Sequence, residues 1–509
     1  MKNKLFVLSA LVFVLAGCKE LVGDSFVTDI PQVLESPSAP ALPPAGLTLS
    51  STSLRVGSLL TISSTSTDLS SPIAVTINGT PALVLNTSAN QMQVFVMPGS
   101  TSGYVGVATN SGIDYSATQV TVQSVTAGVS YTQEGDKIVG AGVSGTAAYF
   151  GTSLKVSADG STAAIGGPVD SANEGATWIY TRNGASWTQQ GLKLMGSGAS
   201  GTAMQGFAVS LSADGNTLMS GGAADDNQLG AVWFFTRSGT SWTQQGPKIV
   251  PTDAIGAQVL FGMSGDLSAD GNTAIIGGVA DNSQVGAAWI YTRNGSSWTQ
   301  QAKLVATDSV GTSTQGYKVA LSADGNTAIV GGAMDDGMVG AAWIYTRSGS
   351  IWTQQAKLIG TGHIGNGAMG YSVAINADGN TVAVSGPYDD STNGAVWIFT
   401  RSGTSWNEQA KLTVTGNIGP ANIGYSVALT ADGNTAVLGG PNDNTMVGAS
   451  WVFTRSGTTW TERTKLLGTG GVGNSTVSLS TSISADGSVM MCGGSYDNSF
   501  MGGVWSFGK

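Results

Sequence analysis

From about residue 130 to residue 509 the chain alternates apolar and polar positions in short runs that return with a fixed period. Ala-Asp-Gly recurs with its aspartate at Asp159, Asp214, Asp270, Asp324, Asp378, Asp432 and Asp486, a spacing of 54 to 56 residues. Each copy reads as four strand-length runs: an apolar alternation such as "GYSVALT", then "NTAIVGG", "GAAWIYTR" and "SWTQQAKL". Four strands per copy is the content of one propeller blade, and seven copies are enough to close a ring. The pattern therefore predicts an all-β protein whose main body is a seven-bladed β-propeller over 130–509.

The ends of the repeat say how the ring closes. The last copy stops after its third run, at Trp505, while an unpartnered "YTQEGDKI" begins at Tyr131, before the first Ala-Asp-Gly. The lysine of the fourth run falls at Lys137, Lys193, Lys248, Lys303, Lys357, Lys411 and Lys465, seven copies only if the amino-terminal fragment is counted. The strand near Tyr131 is thus expected as the outermost strand of the last blade, facing Trp505 and leaving no open edge. Tryptophans also recur in pairs nine residues apart, such as Trp178/Trp187, Trp343/Trp352 and Trp397/Trp406. A four-residue hairpin at Thr400 to Gly403 would set Trp397 directly opposite Trp406 as a cross-strand aromatic pair.

Ahead of the ring, residues 47–123 hold short alternating runs such as "IAVTI" and "MQVFV", broken by Asn78-Gly79 and Pro98-Gly99 turn signals. These predict a small immunoglobulin-like β-sandwich. Residues 18–46 carry Pro31, Pro37, Pro40, Pro43 and Pro44, the composition of a semi-rigid tether. Lys2 and Lys4 followed by the apolar run Leu5–Leu15 read as a secretory signal over 1–17. Its boundary, Leu15-Ala16-Gly17-Cys18, resembles the lipobox of bacterial lipoproteins. That resemblance implies acylation of Cys18, a membrane partner through the lipid, and placement in the bacterial envelope, at the outer membrane or cell surface. The runs "LTLSSTSLRVGSLLTISS", "VTINGTPALVL" and "MQVFVMPGSTSGYVGVAT" look like an IPT/TIG domain, which implies a spacer or contact module without catalytic residues.

Composition narrows the function. Charged residues make up 10% of the chain, against about 25% in an ordinary domain, and the net charge is −10. That balance carries no footprint for a phosphate backbone, so nucleic acid is not expected as a partner. One histidine, His363, and two cysteines, Cys18 and Cys492, leave too few groups for most zinc, haem or Ser-His-Asp chemistry. No cofactor and no metal are expected, and the chain reads as a monomer. Cys492, in an apolar run, reads as a buried free thiol.

The repeat resembles the FG-GAP repeats of integrin-α-type propellers. Phe150-Gly151-Thr152-Ser153 and Phe261-Gly262-Met263-Ser264 keep the FG-x-S opening, and Gly166-Gly167-Pro168 and Gly439-Gly440-Pro441 stand where that family has Gly-Ala-Pro. Calcium-binding members carry an Asp-x-Asp-x-Asp-Gly loop; here one carboxylate remains, too few for the six to eight oxygens calcium takes. The Ala-Asp-Gly aspartates read as hairpin residues. The loop after the second strand keeps an aspartate at Asp170, Asp225, Asp281, Asp335, Asp389, Asp443 and Asp497 among neighbours that vary. Variable loops on a rigid ring are where recognition is expected, so these seven form the candidate binding face, acidic and suited to cationic or metal-bridged partners rather than polyanions. An Asx turn is the structural alternative at each. The expected function is recognition of a protein or glycan without catalysis, with a sialidase-like or other glycan-cleaving enzyme as the alternative.

Overall fold

The computed structural model describes residues 46–123 and 130–509. The signal, the tether up to residue 45 and the acylation site at Cys18 lie outside the described residues. Over 130–509 seven four-stranded antiparallel sheets form a β-propeller. The first runs from the axis outward through Ser153–Val156, Thr162–Gly167, Ala176–Asn183 and Ser186–Gln189, and the others repeat that order. The second strand is buried at every position, as in Thr327–Gly332, because neighbouring blades cover both its faces. Its sequence is accordingly a continuous small-apolar run rather than an alternation. The paired glycines that end it have a packing cause: a Cβ on Gly166 would lie 1.9 Å from the carbonyl oxygen of Gly206 in the next blade.

Third and outermost strands meet in a two-residue turn, Gly403-Thr404 in the fifth blade, with Ser402 paired to Ser405 and Gly403 at φ +61°. This is shorter than the expected four-residue hairpin, and the register moves with it. Arg401 faces Trp406 and Trp397 faces Lys411, so the tryptophans do not pair across the strands. Each ring carries a cation instead: Lys411 Nζ lies 4.9 Å from the Trp397 ring and the Arg401 guanidinium 5.5 Å from that of Trp406. The register also slips between Ile398 and Phe399, leaving Gln409 as a bulge. The bulge aims Gln409 at the next blade, where its Oε1 accepts from Trp460 Nε1 at 2.9 Å. Gln301 and Gln355 latch Trp352 and Trp406 in the same way.

The ring closes through the amino-terminal strand. Thr132–Gln133 pairs with the end of the chain, Thr132 opposite Gly508 and Gln133 opposite Phe507. The expected contact between Tyr131 and Trp505 is replaced, because the register sets Lys137 over Trp505 at 6.0 Å. Tyr131 stands where other blades have their second tryptophan, and Lys509 lies 5.4 Å from its ring. At this joint the latch is ionic: Glu134 accepts from Arg182 through both carboxylate oxygens.

Besides a short parallel pair of Ser53–Arg55 with Thr121–Gln123, residues 47–123 form two four-stranded sheets. One is ordered Leu47–Leu49, Leu59–Ser64, Gln91–Phe95, Leu83–Thr87; the other Thr80–Pro81, Ala74–Ile77, Val105–Thr109, Gly112–Tyr115. They enclose a core that includes Leu60, Ile62, Val75, Ile77, Val94 and Val107. This sandwich packs on the Ala-Asp-Gly face of the ring. There the seven repeat alanines are joined by backbone hydrogen bonds, each N–H donating to the carbonyl of the next blade's alanine, from Ala158 to Ala213 at 3.0 Å round to Ala431 to Ala485 at 2.9 Å. Phe95 of the sandwich packs among Ala158, Ala213, Ala377 and Ala431 and is 4% exposed. One mouth of the axial bore is thereby stoppered. Arg55 adds an ion pair to Asp486 at 3.7 Å, and Gly57 comes so near that a Cβ there would lie 2.5 Å from that of Ala485.

Candidate functional site: the loop face and the axial bore

The face opposite the sandwich is built on the seven second-strand aspartates. Their side chains are at most 1% exposed, so they do not form the expected acidic surface. Each is paired with the fourth-strand lysine of its own blade: Asp389 with Lys411, Asp335 with Lys357 and Asp443 with Lys465 at 2.7 Å, and Asp281 with Lys303 at 2.8 Å. Asp170, Asp225 and Asp497 pair with Lys193, Lys248 and Lys137. A carboxylate removed from water is sustained by such a partner and by hydrogen bonds to its remaining lone pairs.

Those remaining bonds organise the surface above. The second oxygen of Asp389 accepts from the backbone N–H of Ile364 at 2.6 Å, while the Ile364 carbonyl accepts from the N–H of Asp390 at 3.1 Å. The same two-point clamp holds Ser144, Ser200, Ile255, Val310, Ile418 and Val472 in the other blades. After each aspartate the chain makes a left-handed turn, in the fifth blade Asp390 at φ 47°, Ser391 at 56° and Thr392 at 71°. L-residues pay about 1–2 kcal/mol each in that conformation, so the buried aspartate holds a conformation the chain would not keep alone.

The clamped residues in five successive blades are aliphatic: Ile255, Val310, Ile364, Ile418 and Val472, each 50–58% exposed. They form an arc of apolar side chains on a backbone fixed at both polar groups. Around them the left-handed turns expose Asp226, Asp336, Asp390, Asn282, Asn444 and Asn498. A broken run of apolar residues within a polar rim is the anatomy of a contact surface.

The axial bore is the second concavity. Tyr317, Tyr371 and Tyr425 take the same position in consecutive blades, their ring centres 4.7 and 4.9 Å apart, and with Lys318 they line a cavity of about 210 Å³. Nearer the stoppered end Lys155 reaches Asp266 at 2.9 Å. Burial among these rings pushes the Tyr317 hydroxyl up to about 12, and that of Tyr371 well above the ordinary tyrosine range. Sequence reasoning passed over Lys155, Asp266 and Lys318. The available signal was departure from the repeat: at the Lys155 and Asp266 position the other blades have Ser210, Ala320, Ala374, Ala428 and Ser482. His363 is half-buried, and Cys492 is buried with its thiol held up by desolvation.

Fold and site together define a seven-bladed β-propeller with one face covered and the other open. Within that ring, residues 298–345 and 352–399 match the FG-GAP repeat family. Each match begins on the outermost strand of one blade and ends on the third strand of the next. No curated protein matches the chain.

Proposed function

We propose that this chain is a binding protein of the bacterial envelope, anchored by a lipid on Cys18, that uses the open loop face of its propeller to hold a protein partner and catalyses no reaction. The IPT/TIG-like sandwich acts as the spacer on the anchored side. The observation that carries the reading is the clamped arc of Ile255, Val310, Ile364, Ile418 and Val472. Aliphatic side chains on a fixed backbone offer a pre-organised apolar contact, which suits a protein surface better than a glycan, whose polar rings call for flat aromatic platforms. Exposed Asp226, Asp336 and Asp390 beside the arc favour a partner with a basic rim.

A glycan-cleaving enzyme is the second reading, because ionisable groups do converge in the bore. Asp266 is the one carboxylate lining that bore among the described residues, and Lys155, the Ser210 hydroxyl and the Leu321 N–H occupy its oxygens. Most hydrolases of that kind use two carboxylates. The test is binding of the purified protein to an array of envelope and matrix proteins and of glycans. Wild type should hold at least one protein, and Ile364→Asp/Ile418→Asp should lose it by more than about tenfold with unchanged melting. Capture of glycans alone, or retention of the protein by the double variant, overturns the reading.

A further inference from the structure

The bore contains three charged side chains, and their pairing is uneven. Asp266 is fully engaged: Lys155 at 2.9 Å and the Ser210 hydroxyl at 2.8 Å share one oxygen, and the Leu321 N–H donates to the other at 3.1 Å. The Lys318 side chain makes no hydrogen bond or ion pair among the described residues, and it is exposed to the lumen of the bore. The surface it retains belongs to the bore. Serine at this position stitches blades together: Ser153, Ser264, Ser426 and Ser480 donate to the neighbouring blade's carbonyl at 2.7 to 2.9 Å, and Ser372 accepts from the Val427 N–H at 3.2 Å, while the second blade has the neutral Ala208. The fourth blade gives up that stitch for an unpaired cation. A departure from a repeat's own structural rule with no compensating contact is the mark of a functional position.

We propose that the axial bore binds a compact, ring-bearing carboxylate, which enters past Tyr317, Tyr371 and Tyr425 and sets its carboxylate against Lys318. The sandwich stoppers the other mouth with Phe95, leaving the tyrosine mouth as the entrance. At about 210 Å³ the cavity lies below the ~300–1,000 Å³ of drug-sized sites, which limits the ligand to a small body. A mouth lined by three mutually packed tyrosine rings suits a planar or ring-shaped one. Desolvation by the walls of the bore lowers the Lys318 pKa, against Asp266, which raises it, and a bound anion would supply the partner that the amine, unpaired in the cavity lining, lacks. With the tyrosines neutral, the bore then carries one surplus positive charge inside an otherwise acidic molecule.

The probe is benzoate, titrated calorimetrically into the full-length protein beside acetate and inorganic phosphate. One benzoate per chain is expected, held more tightly than acetate or phosphate and more weakly as pH rises and Lys318 loses its proton. Lys318→Met should weaken it by about 30-fold or more, while Lys318→Arg retains most of the affinity. Reductive methylation read by mass spectrometry needs no variant: benzoate should shield Lys318 and leave Lys193, ion-paired on the loop face, unchanged. Absence of benzoate binding, equal affinity in Lys318→Met, phosphate bound as tightly as benzoate, or no shielding of Lys318 each overturns the proposal.

Discussion

The backbone N–H of Ala485 donates to the carbonyl of Ala158 at 2.9 Å, the bond that joins the last blade to the first in the alanine collar. Because the collar is one closed circuit, every alanine in it is held from two sides while Phe95 fills the middle. At Ala485 a larger side chain meets the sandwich backbone, since a Cβ on Gly57 would already lie 2.5 Å from that of Ala485. Ala485→Leu is expected to cost about 1–3 kcal/mol by overpacking, read as a lower urea midpoint. Phe95→Ala should instead leave the ring intact and free the sandwich, so that calorimetry resolves two transitions where wild type gives one. A single unchanged transition in that variant would mean the plug holds the two parts together through other contacts.

The blades were legible because Ala-Asp-Gly sets the period through hairpin chemistry, and the closure because the lysines count seven only with Lys137. The tryptophan register was not. Counting by twos assumes an unbroken ladder, and a bulge at Gln409 with a two-residue turn at Gly403 breaks it in both directions. The aspartates were found, but their burial was missed, although the needed signal was present: each copy that has one also has its lysine, on a neighbouring strand. Side-chain partners across a blade are not visible to a reading of one strand at a time. The bore residues escaped for the opposite reason, since Lys155, Asp266 and Lys318 do not recur.

Burial of the aspartates decides what their substitution reports. Asp389→Ala removes both the partner of Lys411 and the acceptor that fixes Ile364. A loss of about 2–4 kcal/mol is expected, below the largest values for buried pairs because Lys411 keeps some contact with water. Asp389→Asn, which preserves an acceptor, should cost less, and Asp389→Ala/Lys411→Met should recover part of the loss. Charge reversal at Asp225, Asp335 and Asp389 would unfold the loop face, so a loss of binding in that variant has to be read beside its melting curve.

The joint between the last blade and the first is held by Glu134 and Arg182 where the five joints from the first blade to the sixth use a neutral glutamine-to-tryptophan latch. An ion pair is weakened by salt, and a neutral hydrogen bond much less. Glu134→Gln should therefore destabilise the ring by about 1–2 kcal/mol in dilute buffer and by less in 1 M salt. Gln355→Ala, at an internal joint, should lose stability with little dependence on salt. Equal salt dependence in the two variants would show that the closure is no more ionic than its neighbours.

Tyr180 ties the first blade to the strand that closes the ring. Its hydroxyl donates to the Val139 carbonyl at 2.7 Å, and burial pushes it up to about 12 from an ordinary 10.0. The folded state thus holds this proton after the unfolded chain has released it. Stability from the group is whole below pH 10 and is lost as pH climbs from 10 through 12, because the unfolded state then binds fewer protons than the folded one. Tyr180→Phe gives up the hydrogen bond, about 1 kcal/mol at pH 8, and also removes this titration. Urea midpoints of the two proteins should therefore converge between pH 10 and 12, with absorbance at 295 nm showing one fewer late-titrating tyrosine in the variant. A gap that stays constant over that range would mean Tyr180 titrates as it does in the unfolded chain and that its burial has no effect on the closure.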